Sequence, residues 1–149
     1  MILADTVSEV GAELRITVES WLDAARACNA EAFFNATVPW NFSPTFVANN
    51  PRLLADAKTR YTQLDYAAIV RLCECFLGVN FTARLGEIKC PTCIVAGSVD
   101  LLKGPAYAAV LKNGIPQAEL HILHGAGHAS CWEKPQEFNT VVLGFLAKQ

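Results

Sequence analysis

Leu14, Val18, Trp21, Leu22, Ala25 and Cys28 follow one another at steps of four, three, one, three and three, which places them on one face of an amphipathic helix. Asn29 stands where it can cap a second helix presenting Phe33, Phe34 and Val38, which Pro39 is expected to stop. Ser43-Pro44 and Asn50-Pro51 each set a capping side chain before a proline at the first helical position, and the second pair opens a helix carrying Leu53, Leu54 and Ala57. After Asp65, the residues Ile69, Leu72, Cys73 and Phe76 share another helical face, with Gly78 as the stop. Ahead of these helices, Ile2 to Thr6 is a short apolar run compatible with a buried parallel strand, although periodicity alone does not prove one.

Beyond about residue 85 the pattern changes. Thr92 to Gly97 reads as a strand, Pro105 to Lys112 as a helix ended by Gly114, and Glu119 to Leu123 as a second strand. Pro135 opens a last helix with Phe138, Val141, Val142, Phe145 and Leu146 directed inward. Strand, helix, strand, helix predicts a parallel sheet with right-handed crossovers, an α/β architecture.

Composition narrows the classes of function. With 149 residues the chain fits one domain, and 52% hydrophobic against 17% charged residues is apolar for its size, which calls for a deep core or an apolar face turned to a partner. A net charge of −2 without a basic cluster argues against nucleic acid and anionic membranes. No apolar run is long enough to span a bilayer, and no basic stretch precedes the first apolar residues as in a signal peptide. Six cysteines are too few for a disulfide scaffold, and Cys28 and Cys73, inside apolar periodic segments, are expected to be reduced core residues. A cytoplasmic location is the expectation.

The candidate chemistry lies in two loops. Gly97-Ser98-Val99-Asp100 leaves the end of one strand and Gly125-Ala126-Gly127-His128 the end of the other. Ligands of open α/β sheets bind outside the carboxyl ends of the strands. An Asp and a His there can meet, the carboxylate fixing the imidazole tautomer and stabilising the imidazolium formed on proton transfer.

The stretch Ile88 to Asp100, with its acid after the strand, resembles the penultimate strand of the α/β-hydrolases. Ile115 to Leu120 resembles the lead into their last strand. Gly125 to His128, followed by Glu133-Lys134-Pro135 and Phe138, resembles their histidine loop and closing helix. The resemblance implies a partial α/β-hydrolase with about three parallel strands, flanking helices and an inserted helical lid. Residues 1–10 would then hold the strand preceding the lid, 11–85 the lid, and 86–149 the core segment with acid and histidine. It implies Asp100 as orienting acid and His128 as general base and acid, acting on a carboxylic ester, lactone or similar acyl compound with neither cofactor nor metal. Trp40-Asn41-Phe42-Ser43 is similar to lid sequences of small ester and lactone hydrolases, so Trp40, Phe42 and Phe46, with Phe33 and Phe34 beside them, are candidates for an acyl pocket.

One part of the pattern is missing. The Gly-x-Ser-x-Gly elbow that carries the nucleophile occurs nowhere in the sequence. Ser98 sits beside the acid and Ser130 follows the histidine, neither in the elbow's place. The expectation is a truncated hydrolase, inactive alone, whose exposed first strand recruits a second copy into a homo-oligomer or an N-terminal half; a non-catalytic interaction fragment is the alternative. Two further motifs are weighed. Cys90-Pro91-Thr92-Cys93 has thioredoxin-like spacing but leads into a strand, whereas such a site activates its thiol at a helix N-terminus. Cys90, Cys93, His121, His124, His128 and Cys131 suffice by number for zinc, yet only His124 and His128 have a typical pair spacing.

Overall fold

The structure, a computed structural model, describes Met1–Gln149. Its centre is β2 (Thr92–Gly97), every residue of which is buried. A strand buried on both faces belongs in the middle of a parallel sheet. It is flanked by β1 (Ile2–Ala4) and β3 (Ala118–Leu123), all three parallel in the order β1-β2-β3, with Ile2 opposite Cys93 and Thr92 opposite Ala118. The α/β reading therefore holds.

Side chains alternate across the sheet and build two cores. On one face Ile94, Ala96, Ala118 and Leu120 meet Ala108, Leu111 and Ile115 of α6 (Pro105–Gly114) and its end, with Leu85 of a 3₁₀ turn (Thr82–Glu87). On the other, Cys93, Val95 and Leu123 meet Phe138, Val141, Val142 and Phe145 of α8 (Pro135–Leu146). A third cluster joins Val7 and Leu102 to Leu14 and Val18 of the helical segment.

That segment holds α1 (Ala12–Arg26), α2 (Ala30–Asn41), α3 (Pro44–Asn49), α4 (Pro51–Tyr61) and α5 (Tyr66–Leu77). Asn29 and Ser43 cap α2 and α3 as expected, and Asp65 caps α5, the three side chains accepting from Ala32, Phe46 and Ala68 N–H groups at 2.9, 3.2 and 2.9 Å. Its two ends are stitched together at a neck. Phe81 N–H donates to the Ser8 carbonyl at 2.9 Å, Val10 N–H to the Val79 carbonyl at 3.2 Å, and the Ser8 and Thr82 hydroxyls bond at 2.7 Å.

Several local expectations fail for identifiable reasons. Pro39 lies inside α2, because so near the end it forfeits one backbone bond while Phe42 N–H still reaches the Val38 carbonyl. Asn50 does not cap α4; its side chain instead donates to the Phe46 carbonyl at 2.8 Å. Cys28 is exposed in a turn with φ of 49°, since α1 ends at Arg26, and Cys73 is only half-buried. Leu72 and Leu146 face outward, each roughly a quarter-turn from the centre of its helix's apolar stripe at about 100° per residue. A short helix, α7 (Ser130–Glu133), was not anticipated.

Candidate active site

The loops after β2 and β3 are locked together by backbone contact. A Cβ on Gly97 would stand 2.3 Å from the carbonyl oxygens of both Ala126 and Gly127, so only glycine permits this approach. Ser98 N–H then donates to Leu123 O and Val99 N–H to Ala126 O, both at 3.0 Å, while Gly125 N–H donates to Ser98 Oγ at 2.8 Å. Ser98 is thus a brace.

This bracing brings Asp100 and His128 together. Asp100 Oδ2 lies 3.0 Å from His128 Nδ1, and its Oδ1 accepts from the N–H groups of Leu102 at 2.7 Å and Lys103 at 2.9 Å. The carboxylate is wholly buried and each oxygen has a donor, so its orientation is fixed. The His128 side chain keeps 17% of its surface exposed. Nδ1–H toward the acid leaves Nε2, which takes no partner from the chain, as the proton acceptor.

Three residues whose bonds the sequence does not show, Asp5, Ser130 and Glu133, hold the histidine loop. Asp5, just past β1 with φ of 46°, accepts from Ser130 Oγ at 2.6 Å and Ser130 N–H at 3.3 Å. Ser130 is fully buried and committed to this bond. The other Asp5 oxygen is buried without a partner, and burial pushes this carboxyl above the usual range, against the lowering effects of the Ser130 bond and of His128. Nearby, burial lowers the Lys103 ammonium, which Asp100 and Asp5 partly counter and which stacks on Phe76 at 4.6 Å. Glu133 grips the helical segment, accepting from Ser43 N–H at 2.9 Å and Ser43 Oγ at 2.5 Å. Ala129 N–H adds a bond to the Asn41 carbonyl at 2.8 Å. A Cβ on Gly127 would meet both Glu133 and the Ser43 backbone at 2.6 Å, so this packing too depends on a missing side chain.

The aromatic candidates separate. Phe42 lines an apolar cavity of about 300 Å³ with Val38, Leu53, Tyr61, Leu64 and Trp132, and Ala129, adjoining His128, forms part of its wall. Phe46 stacks on Phe42 at 5.0 Å but faces a polar recess with Ser43 and His124. Trp40 turns elsewhere, toward Leu14, Thr17 and Leu101. Phe33 and Phe34 pack on Tyr61, and Phe33 also on Tyr66, holding the helices together.

Of the residues weighed for zinc, His128 is taken up by Asp100, and the ligand set that does assemble is Cys93, His121 and Glu119, on β2 and β3. Cys93 is buried inside β2, where desolvation raises its thiol, the opposite of activation at a helix N-terminus.

No family model matches the chain. Over 69 residues it is 44% identical to a 2-hydroxy-6-oxononadienedioate/2-hydroxy-6-oxononatrienedioate hydrolase of Klebsiella pneumoniae, covering 46% of this chain and 24% of that enzyme. A hydrolase of the same description from Pseudomonas putida is 40% identical over 67 residues, 45% of this chain and 23% of the relative. The aligned segments thus span about a quarter of the length of these curated relatives. The solved structure of MGS-M2, an α/β hydrolase enzyme from a Medee basin deep-sea metagenome library, superimposes with a TM-score of 0.94 at 27% identity, over 100% of this chain and 56% of its own. The enol-lactonase of Burkholderia xenovorans LB400 gives 0.87 at 24% identity, over 98% and 55%. The chain has the α/β-hydrolase fold in part, the part in which an Asp and a His project from neighbouring strand ends.

Proposed function

We propose that this chain is the acid- and base-bearing part of a hydrolase that cleaves a carboxylic ester, lactone or similar acyl compound by Ser-Asp-His chemistry. The supporting observation is the 3.0 Å contact between buried Asp100 and His128, with Nε2 unengaged and the adjoining Ala129 in the wall of an apolar cavity. Asp100 holds the tautomer and stabilises the imidazolium; His128 takes the nucleophile's proton and returns it to the leaving group. Residues 11–85 act as the lid, Phe42 and Trp132 facing the acyl group, with Phe46 stacked on Phe42 behind it and Trp40 holding the lid to its first helix. These steps call for neither cofactor nor metal. Similarity to proteins described as a hydrolase and an enol-lactonase supports the substrate class.

The 149 residues contain no Gly-x-Ser-x-Gly. The nucleophile and the donors for its oxyanion come from other polypeptide, joined to this one or separate, and the chain alone is inactive. The purified chain and His128→Ala are expected to hydrolyse a short-chain nitrophenyl ester equally poorly, because losing the serine of a triad costs on the order of a millionfold. Joined behind the N-terminal part of an α/β-hydrolase, the chain is expected to gain cleavage that His128→Ala and Asp100→Ala remove. Cleavage by the chain alone that depends on His128 overturns the split reading, and a joined enzyme indifferent to both residues overturns the catalytic one.

A second reading, a non-catalytic module that associates through its sheet, draws on β1, which has a neighbour on one side only. The two are compatible: the edge that accepts an N-terminal half also accepts a second copy, giving a homo-oligomer. No helix is long and apolar enough to cross a membrane. All six cysteines are free, which supports our placing the protein in the cytoplasm.

A further inference from the structure

Parallel pairing puts Cys93 of β2 opposite Glu119 of β3, and Val95 opposite His121. Alternation then turns Cys93, Glu119 and His121 to the same face of the sheet, the one covered by α8. Cys93 Sγ, a Glu119 oxygen and a His121 ring nitrogen all lie within 4.8 Å of one another. Cys93 is fully buried, whereas Glu119 and His121 are about 38% and 37% exposed on an edge strand, leaving a path for an ion. We propose that these three side chains form a binding site for zinc, separate from the Asp100–His128 centre.

The chemistry favours zinc over harder cations. Thiolate and imidazole are poor ligands for magnesium and calcium but suit zinc, and three protein ligands plus one water complete a tetrahedral shell. His121 Nε2 and Glu119 Oε1 are 3.2 Å apart, close to the roughly 3.3 Å that two ligands with bonds of about 2.0–2.1 Å subtend at a tetrahedral ion. The sulfur belongs roughly 3.6 Å from each, so a side-chain rotation of about 1 Å closes the set. Lys148 lies 3.7 Å from Glu119 Oε2, and Oε1, now hydrogen-bonded to His121 Nε2, is the oxygen that exchanges that bond for the ion. Cys93 lies five residues before Ser98, roughly 16 Å along β2, and His121 stands opposite Val95 at the middle of the strands. The site's existence does not depend on the hydrolase reading.

Binding replaces the Cys93 thiol proton with the ion, so one proton leaves per ion bound. Affinity therefore rises with pH.

The test is titration with Co²⁺, whose thiolate complexes absorb by charge transfer, followed by displacement with Zn²⁺. It uses the full chain with the exposed Cys28, Cys75, Cys90 and Cys131 changed to serine. One equivalent of Co²⁺ is expected to bring up the thiolate band, with Zn²⁺ abolishing it. Cys93→Ser removes the band, and His121→Ala and Glu119→Gln each weaken binding at least about tenfold. No band, or one that survives His121→Ala and Cys93→Ser, overturns the proposal. If Cys93→Ser fails to fold, the two half-exposed positions decide by themselves.

Discussion

Asp100 is held by three donors, two of them backbone N–H groups of its own loop. Removing the carboxylate strands those groups in a buried place, so Asp100→Ala is expected to cost about 2–4 kcal/mol in urea unfolding. Asp100→Asn keeps an acceptor for the two N–H groups and is expected to cost less. Asp5 behaves differently. Its folded pKa is raised above the unfolded value. Between those two values the folded state holds a proton that the unfolded state releases, so stability declines as pH climbs through that window. Asp5→Asn, which cannot titrate, is expected to flatten that decline while keeping an oxygen for Ser130. Unfolding curves at several pH values check this, and a wild-type chain without the decline refutes it.

Ties between elements decide how the helical segment sits over the histidine. Glu133, at the end of α7, accepts two bonds from the residue that opens α3. Glu133→Ala is expected to lose about 1–2 kcal/mol and to speed amide exchange at Ser43 and Phe46, leaving the β2–β3 amides protected. Such ties were illegible in the sequence. Asp5 and Ser130 are 125 positions apart, Ser43 and Glu133 90, and no local spacing announces a partner so remote. What was legible is what local physics writes: the caps Asn29 and Ser43, the unbroken apolar run of β2, and the glycine loops bringing Asp100 and His128 to adjacent strand ends. Errors gathered at the margins of helical stripes, as with Leu72 and Leu146, where an apolar residue faces either way at little cost. The three aromatics in one stretch looked like one pocket because a sequence does not show that Trp40 and Phe42, two positions apart on α2 and its cap, point in different directions.

At the scale of the whole molecule, β1 pairs only with β2 and leaves its other edge open. Unpaired strand edges recruit strands, and self-complementary edges close most simply as two-fold dimers. Sedimentation equilibrium at micromolar concentration is expected to find a dimer; a well-behaved monomer of 16.2 kDa rules this out. The neck at Ser8–Val10 and Val79–Thr82 bears on how the sheet is assembled at all. Ile2 meets Cys93 across some ninety residues, a closure costing roughly 4 kcal/mol of chain entropy plus a constant, which a three-residue strand repays poorly. Once the neck has formed, the path from β1 to β2 shortens to about nineteen residues and the cost falls by about 1.4 kcal/mol. On this accounting the helices, with their short-range contacts, and then the neck are expected to form before β1 docks.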